Sequence, residues 1–498
     1  MYTIGIDIGS SSIKAASIRT DTDEVLQRIQ VPESEMPIQA AQAGWAEQDP
    51  ELWWKYVCEA CRSLISNSNI EADTIRAVGI AYQMHGLVLV DEKLNPLRPA
   101  IIWCDSRAIS YGERAFHEIG QAKCLEKYLN SPGNFTAAKL KWVAEHEPQV
   151  YEKAKYLLLP GDYIALKLSG KANTTIGGLS EAILWDYQEN RPAKEVMEAM
   201  GLRTDLIPEV APMVGEQGLV NDEAAKQTNI PTGTPINYRA GDQPNNALSL
   251  GALEPGDVAA TCGTSGVIYA VSNQLKADES QKTNAFAHLN YSKSMPHIGH
   301  LLCINGAGIL HKWVRDIIAG QYLDYDQMEK MAEQVDIGSS GLSFLPFGNG
   351  AERMLNNKII GAHLLNLDLN RHQKAHLIRA GLEGIAFAFV YGMRCMQKMG
   401  IGLKCIRAGN DNLFQSHIFA KTLATLTDTQ IEIYETNGAI GAAKAAAISL
   451  ASNVDPLDII KQQNPIEIIS PDAISKPYSR AYEQWLTNLN TIIDTHAN

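Results

Sequence analysis

The chain has 498 residues, of which 45% are hydrophobic and 20% charged, a composition typical of a folded globular protein and not of a disordered one. Its formal net charge of −13 excludes a nucleic-acid or membrane partner that is held mainly by positive charge. The eight cysteines are irregularly spaced, and no apolar run approaches the ~18 residues of a membrane span, so we expect free buried thiols and a cytoplasmic protein.

The first predicted elements are two antiparallel strands within residues 2–18. Apolar side chains alternate with small or polar ones on both sides of Gly9–Ser12, which is the pattern of a hairpin with a tight turn. Because every side chain in this turn is small, its backbone amides and hydroxyl groups can approach phosphate oxygens closely. The turn is therefore a candidate phosphate-binding element.

Asp7 lies inside the first of these strands, next to the turn. A carboxylate among apolar neighbours loses hydration energy unless a cation or hydrogen-bond donors compensate for it. A hydrated Mg²⁺ near a bound phosphate would do so, and so would local backbone amides at the strand end. The hairpin alone leaves both interpretations open.

Two motifs of the first half carry little functional weight. A helix is predicted to begin at Pro50, because Asp49 offers an N-cap, and Cys58 and Cys61 follow inside that helix. Since no second cysteine pair accompanies them, we interpret them as free thiols and not as a zinc or redox site. The triplet Asn134–Thr136 fits a glycosylation acceptor, which has no meaning in a cytoplasmic protein.

Two predicted strands of the first half end in residues suited to a small polar ligand. Residues 75–82 (IRAVGIAY) lead into Met84 and His85, and residues 99–102 (PAII) lead into Trp103. If these strands share a sheet, aromatic ring faces and hydrogen-bonding groups meet at one end of it, which suits a sugar. A histidine or tryptophan at a strand end is also commonly a packed side chain, and the residues alone do not separate the two interpretations.

Asp242 stands between a predicted strand, residues 235–239 (PINYR), and an Ala/Leu-rich helix. At the mouth of a cleft, this carboxylate could accept the proton of a hydroxyl group whose oxygen attacks phosphorus. The alternative is a helix N-cap, which is the commoner role of aspartate at such a position.

The second half repeats the plan of the first. Residues 258–271 form another predicted hairpin, whose tip is Gly263–Gly266. Gly and Pro in residues 249–256 mark a boundary, so we predict a duplicated α/β chain with domains 1–248 and 249–498. Because the sequence has no Walker-type phosphate loop, the two small-residue turns, facing each other across an interdomain cleft, are the expected phosphate clamp.

Taken together, these segments are similar to those of the FGGY carbohydrate kinases, and among them most closely to the xylulose kinases, in the same order over almost the whole chain. The segments that carry the resemblance are IGIDIGSSSIK, GWAEQDPELWW, GIAYQMHG, LRPAIIWCDSR, LLLPGDYIALKLSG, CGTSGV and LEGIAFA. The resemblance implies an actin-like ATPase architecture, in which two ribonuclease-H-like domains close on Mg-ATP and a sugar. It also suggests a homodimer.

Matched residue by residue, the resemblance implies a complete site. Asp242 is the catalytic base, and Asp7 is the carboxylate beside Mg²⁺. The ATP-binding positions are Ser10, Ser11 and Lys14 in the first hairpin, Gly263 and Thr264 in the second, and Gly409 and Asn410 in a further turn. The sugar-contacting positions are Met84, His85, Trp103, Asp242 and Gln243.

Two segments depart from the family pattern. The common Gly-Gly-Gly-Ala turn is here Arg407–Asn410, and the common Gly-Asp-Asn-Ala-Ala segment is here Gly-Asp-Gln-Pro-Asn-Asn. Gln243 is longer than the usual Asn, and Pro244 stiffens the turn that follows. The departures therefore bear on the adenine side of the site and on the identity of the sugar.

The reaction that the resemblance implies is transfer of the γ-phosphoryl group of ATP to the terminal hydroxyl of a ketopentose. D-xylulose is favoured because His85 follows Met84 where glycerol kinases carry an Arg-Glu pair. Gluconate, ribulose and fuculose kinases of the same fold are the alternatives. A non-catalytic ATP switch of the chaperone kind would need a peptide-binding domain, and a sugar-responsive repressor would need a helix-turn-helix; we find neither in the sequence.

Overall fold

The computed structural model describes residues 1–68, 70–319, 322–448, 450 and 464–495. Within these ranges, the helices are all too short or too polar to cross a membrane. The described strands are β1 (Tyr2–Ile8), β2 (Ile13–Arg19), β3 (Val25–Val31), β4 (Glu47–Gln48), β5 (Ile75–Tyr82), β6 (Val88–Val90), β7 (Ala100–Ile101), β8 (Tyr156–Leu158), β9 (Asn173–Thr175), β10 (Trp185–Asp186), β11 (Arg191–Pro192), β12 (Glu209–Ala211), β13 (Val214–Leu219), β14 (Pro235–Gly241), β15 (Asp257–Cys262), β16 (Gly266–Ser272), β17 (Asn284–Ala287), β18 (Ile298–Ile304), β19 (Ser343–Leu345), β20 (His363–Leu365), β21 (Cys405–Gly409), β22 (Ile431–Tyr434) and β23 (Glu467–Ile469).

Helices are interspersed among these strands along the chain, as expected for the α/β class. The described helices are α1 (Pro50–Asn67), α2 (Ile109–Ile119), α3 (Gln121–Lys127), α4 (Thr136–His146), α5 (Pro148–Lys153), α6 (Pro160–Ser169), α7 (Ile176–Glu181), α8 (Lys194–Ala199), α9 (Asp222–Thr228), α10 (Asp242–Ser249), α11 (Gly308–Ala319), α12 (Tyr325–Glu333), α13 (Lys374–Lys398), α14 (His417–Thr427), α15 (Gly438–Ile448) and α16 (Lys476–Thr495).

The first large sheet has the strand order β13-β14-β5-β1-β2-β3. β1, β2 and β3 are antiparallel neighbours, whereas β5 runs parallel to β1 and β14 runs parallel to β5. Ile4 and Ile6 of β1 are fully buried in one core with Trp53 of α1, because alternate strand side chains point to the same face of a sheet. The parallel strands therefore deliver Asp7, the Met84 loop and Asp242 to a common edge.

The second large sheet has the strand order β17-β18-β16-β15-β21-β22-β23. β15, β16 and β18 are antiparallel neighbours, and β21 and β22 continue the sheet in parallel with β15. The series β18-β16-β15-β21-β22 thus repeats the order and directions of β3-β2-β1-β5-β14. Both predicted hairpins are confirmed, since β1 pairs with β2 and β15 with β16 around their small-residue turns.

Helix α15 joins the two halves in a way that the sequence patterns did not predict. It follows β22 of the second sheet but packs on β1, β5 and β2 of the first. A Cβ atom added to Gly5 would lie 1.9 Å from the carbonyl oxygen of Ala439, and one added to Gly79 would lie 2.0 Å from that of Ala442. Only glycine permits this close backbone approach, which places the start of α15 beside Asp7.

Local predictions hold at some positions and fail at others. Helix α1 begins at Pro50 as predicted, and the Asp49 side chain accepts a hydrogen bond from the amide of Glu51. The predicted strand 99–102 is shorter, because only Ala100–Ile101 pairs with a neighbour. The expectation of buried thiols is wrong for Cys104 and Cys303, which are exposed. Cys104 follows the end of β7, and Cys303, near the end of β18, lies where the charges of Arg353 and Asp242 act on it.

Candidate active site

The carbonyl groups of the first predicted phosphate turn are already engaged in hydrogen bonds. The carbonyl oxygen of Ser10 accepts from Nε2 of Gln48 at 2.7 Å, and that of Ser11 accepts from the amide of Met36 at 2.7 Å. The amides of Ser10 and Ser11 donate no hydrogen bond within the described residues, and Ser11 is exposed. The turn thus offers N–H donors of the kind that bind phosphate oxygens.

The second turn has the same arrangement. The carbonyl oxygen of Gly263 accepts from the amide of Gly308, and that of Thr264 from the amide of Ile309, both at 3.0 Å. These donors are the first two residues of α11. Thr264 is exposed, and its own amide makes no hydrogen bond in the part of the chain that the structure describes. Both hairpin turns therefore present donors and hide acceptors, which favours an anion.

A cavity of about 540 Å³ adjoins the second turn. Its size is within the range of small-molecule sites. Gly409 and Asn410, the predicted ATP positions, come just before its lining: Gly409 ends β21, and the amide of Asn410 donates to the carbonyl oxygen of Tyr434 at 2.8 Å. The lining includes Gly263, Thr264, Ile309, Tyr325, Asn412 and Ser416.

Asp7 lies at the turn end of β1, where its side chain is partly exposed. A Cβ atom added to Gly438, the first residue of α15, would come within 2.3 Å of its Oδ2. Burial raises the pKa of the Asp7 carboxyl, and Lys14, its cross-strand partner, lowers it. Among the described residues, no local amide donates to this carboxylate. The interpretation in which backbone amides compensate for the lost hydration of Asp7 is therefore not supported, and a cation is left as the group that could compensate for it.

Asp242 is the first residue of α10 and directly follows β14. The N-cap interpretation of Asp242 is wrong by one residue, because β14 extends through Gly241 and makes that glycine the N-cap. Burial, and secondarily the charge of Asp7, raise the pKa of the Asp242 carboxyl to about 7, while hydrogen bonds from Gln243 favour its ionised form. A carboxylate with such a pKa can accept a proton near neutral pH.

Met84 brings the end of β5 against Asp242. A Cβ atom added to Gly241, the residue before Asp242, would lie 2.5 Å from Cγ of Met84. His85, the next residue, has a φ of 62°, which is uncommon for residues other than glycine. The structure thus places Met84, and with it the next residue His85, at the end of β14, where Asp242 begins α10.

The imidazole of His85 has a defined tautomer. Its Nδ1 lies 3.1 Å from the carbonyl oxygen of Glu181, and because a carbonyl oxygen only accepts, Nδ1 carries the hydrogen. Burial, together with the nearby charge of Lys139, lowers the pKa of His85 to about 3, so the ring is neutral. The rings of Phe135 and Phe286 pack on it, at centroid distances of 4.8 and 5.2 Å. Nε2 is therefore an acceptor suited to a sugar hydroxyl.

Trp103 and Gln243, the two other predicted sugar contacts, both have groups available to a ligand. The Trp103 side chain is 51% exposed in the turn after β7. The side-chain oxygen of Gln243 is buried and has no hydrogen-bond partner in the described ranges. An unsatisfied acceptor beside Asp242 is one that a ligand hydroxyl would satisfy.

Sequence reasoning missed three charged residues around this site. The carboxyl group of Glu181 is buried beside the Tyr82 hydroxyl, and burial raises its pKa well above the ordinary range. Lys139 donates to the carbonyl oxygens of His85 and Ile102. Arg353, from the second half, acts on His85 through its charge. No local motif marks these residues, since only the fold brings them near Asp242.

The chemistry of the cleft follows from these parts. Lys14 acts on Asp7 and also on Asp411 of the second half, so its ammonium group lies where the two halves meet. The turn amides and this cation suit phosphate oxygens, Asp242 can take a proton, and His85 can accept a hydroxyl hydrogen. These are the components of phosphoryl transfer to an alcohol.

Models of one protein family match most of the chain. The N-terminal domain of the FGGY family of carbohydrate kinases matches residues 2–249, and the C-terminal domain of the same family matches residues 258–450. The chain belongs to the FGGY family of carbohydrate kinases. This FGGY kinase is an ATP-dependent sugar kinase, as the sequence resemblance implied.

Individual relatives agree with that assignment. The xylulose kinase of Escherichia coli (strain K12) is 27% identical over 478 residues, which is 95% of each chain. The crystal structure of xylulose kinase from Rhodospirillum rubrum matches the FGGY kinase with a TM-score of 0.89 at 24% identity, over 100% of both chains. That of gluconate kinase from Lactobacillus acidophilus matches with a TM-score of 0.88 at 21% identity, over 100% of this chain and 99% of that one. The predicted two-domain kinase fold is confirmed.

We expect kcat/KM of the FGGY kinase for its sugar to fall about tenfold per pH unit below about pH 7. The base must be ionised to accept a proton, and the pKa of Asp242 is about 7, so the active fraction falls as the pH falls through that value. The measurement is the pH profile of kcat/KM at saturating ATP. A profile that stays flat down to about pH 5 would remove Asp242 from the base role.

Proposed function

We propose that this FGGY kinase transfers the γ-phosphoryl group of ATP to the terminal hydroxyl of D-xylulose, which gives D-xylulose 5-phosphate and ADP. The observation that carries the proposal is Asp242, a carboxylate of raised pKa that lies beside Met84 and His85 in a cleft with two donor-presenting turns. The choice of D-xylulose is supported by the Met84-His85 pair and by the similarity to xylulose kinases over nearly the full length.

In the proposed reaction, Asp242 accepts the proton of the terminal hydroxyl as its oxygen attacks the γ-phosphorus. The bond from that phosphorus to the β–γ bridging oxygen breaks, and ADP leaves. Amides at Ser10, Ser11 and Thr264, with Lys14, hold the phosphate oxygens, where most of the catalysis of such transfers lies. The cavity beside Gly263 and Thr264 receives the nucleoside, with Gly409 and Asn410 at its border.

Asp7 fits a hydrated Mg²⁺, because its carboxylate is compensated by Lys14 alone and lies next to the first turn. In the described ranges, no three His, Cys, Asp or Glu side chains form a metal cage, which fits an ion held mainly by water and phosphate. When bound, Mg²⁺ would neutralise charge on the phosphate oxygens during transfer.

The sugar would lie beside Asp242, between the loop after β5 and the start of α10. We assign Nε2 of His85 and the side-chain oxygen of Gln243 as acceptors for its hydroxyl hydrogens, and the exposed Trp103 ring and Met84 as apolar contacts. The domain limits 1–248 and 249–498, a homodimer and a cytoplasmic location remain predictions from the sequence.

The proposed substrate is tested by sugar-dependent ADP release over a panel of D-xylulose, L-xylulose, D-ribulose, L-fuculose, gluconate and glycerol. Specificity is measured by the ratio of kcat/KM values, and we expect the highest kcat/KM for D-xylulose. A higher value for another compound would correct the sugar and keep the kinase. ATP hydrolysis that is independent of every compound would favour an ATP-switch protein.

A further inference from the structure

A short segment of the first half, residues 134–139, contacts the two loops that carry the proposed sugar contacts His85 and Trp103. Its members are the glycosylation-like triplet Asn134–Thr136, Ala137, Ala138 and Lys139 at the start of α4. The side chains of Asn134, Thr136 and Lys139 and the amide of Ala137 all act as hydrogen-bond donors. We call residues 134–139 the donor segment.

The acceptors of the donor segment are backbone carbonyl oxygens of three separate loops. Lys139 Nζ donates to His85 at 2.8 Å and to Ile102 at 3.0 Å. Thr136 Oγ1 donates to Gly86 at 3.2 Å, and the side chain of Asn134 donates to Asp105. One helix start therefore holds the backbone of the His85 loop at His85 and Gly86 and the backbone on both sides of Trp103.

The third loop is reached from the same segment. The amide of Ala137 donates to the carbonyl oxygen of Ala182 at 3.2 Å, next to Glu181, whose own carbonyl oxygen orients the His85 ring. The Phe135 ring also packs edge-on against His85. The position and the tautomer of His85 thus depend on the donor segment on two sides.

Lys139 is fully buried, and both of its hydrogen bonds are to backbone carbonyl oxygens. Burial lowers the pKa of Lys139 to about 7. Asp105 and Glu181 act on it through charge at longer range. A buried ammonium group is costly unless its hydrogen bonds are well formed, so it holds both carbonyl groups tightly. Removing it would leave two buried acceptors of separate loops without a donor.

We propose that the donor segment is the positioning element of the sugar pocket, and that Lys139 and Thr136 set sugar affinity by holding the backbone of the His85 and Trp103 loops. The inference rests on the proposed function, since it concerns the sugar side of that site. The donor segment itself does not contact the substrate in this proposal. The nucleotide turns belong to other elements, so they do not depend on it.

The test compares Lys139→Met, which keeps length and removes the donor, with Thr136→Val, which keeps shape and removes the hydroxyl. Affinities for D-xylulose and for a nonhydrolysable ATP analogue with Mg²⁺ are measured separately by calorimetry, and KM values by ADP release. We expect Lys139→Met to weaken D-xylulose binding at least about 10-fold and Thr136→Val about 3-fold, with the affinity for the ATP analogue changed less than about 2-fold.

Two matched controls separate positioning from general destabilisation. Thr136→Ser restores a hydroxyl, and Lys141→Met removes a lysine of the same helix whose Nζ pairs with Glu145 at 3.1 Å. Both should keep wild-type sugar affinity within about 2-fold. Partial unfolding would lower kcat without a selective change in the KM for sugar. Comparing the change in sugar affinity with the change in ATP-analogue affinity therefore distinguishes the two cases.

The outcomes are distinct. Unchanged sugar affinity in Thr136→Val and Lys139→Met, or an equal loss of ATP-analogue affinity, overturns the positioning role and leaves the kinase assignment intact. If Lys139→Met fails to fold, the comparison of Thr136→Val with Thr136→Ser decides alone. A wild-type chain that binds no sugar overturns the proposed function together with this inference.

Discussion

Replacing Asp242 by asparagine is expected to lower kcat for sugar phosphorylation at least about 100-fold while ATP affinity stays within about 2-fold of wild type. Asparagine keeps the shape of the side chain and one of its two acceptor oxygens but cannot accept a proton at neutral pH. The hydrogen bonds of Asp242 come from the amide and side chain of Gln243 beside it, and its charge acts on Asp7 and Glu181. The measurement is steady-state ADP release with D-xylulose, paired with calorimetric titration of an ATP analogue.

Asp222→Asn is the matched control for this variant. Asp222 is also the first residue of a helix, α9, but it is exposed and lies outside the site. Acids in a first helical turn contribute typically about 0.3–1 kcal/mol to stability through the helix dipole. If Asp242 were only such an acid, both variants would lose a little stability and keep their turnover. Near-normal kcat in Asp242→Asn would contradict the base role.

Replacing Asp7 by asparagine is expected to lower kcat roughly 100-fold and to raise the Mg²⁺ concentration needed for half-maximal activity. The reason is that Asp7 is a partly exposed carboxylate beside the first turn, compensated by Lys14 alone, so its charge is available to orient a hydrated cation. Kinetics over a range of Mg²⁺ at fixed ATP measure both effects. A variant with an unchanged Mg²⁺ dependence would contradict this role.

The same substitution has a second expected consequence, which concerns the pH profile. The negative charge of Asp7 contributes to the raised pKa of Asp242. Removing that charge lowers the pKa of Asp242, so the acid side of the kcat/KM profile should move to lower pH. An unchanged profile would mean that the charge of Asp7 does not act on Asp242.

Much of the fold could be predicted because it is encoded locally. Alternating side chains around Gly9–Ser12 and around Gly263–Gly266 specify strands and tight turns without reference to the rest of the chain, and both hairpins form as predicted. Asp7 and Asp242 were candidates for the same local reason, since each is a carboxylate at or just after the end of a strand, but only the family resemblance gave them their roles. A sequence pattern best predicts the position of a residue within its own strand, turn or helix.

The parts that could not be predicted depend on contacts between distant segments. Helix α15 packs on the first sheet because Gly5 and Gly79 leave room for its backbone. The sequence around these two glycines does not indicate that a distant helix packs there. Lys139 and Glu181 are buried ionisable residues that contact His85 from other loops, Lys139 through its Nζ and Glu181 through its carbonyl oxygen. Asn134–Thr136 drew attention only as a glycosylation sequence, because its hydrogen-bond acceptors are known only from the fold.

The most direct test of the central claim is a crystal structure of the Asp242→Asn variant with D-xylulose and a nonhydrolysable Mg-ATP analogue. We predict that the terminal hydroxyl oxygen lies within about 3.2 Å of the residue 242 side chain and about 3.5 Å from the γ-phosphorus, in line with the bond that breaks. A sugar bound elsewhere, or a terminal hydroxyl that points away from both residue 242 and the γ-phosphorus, would contradict the account.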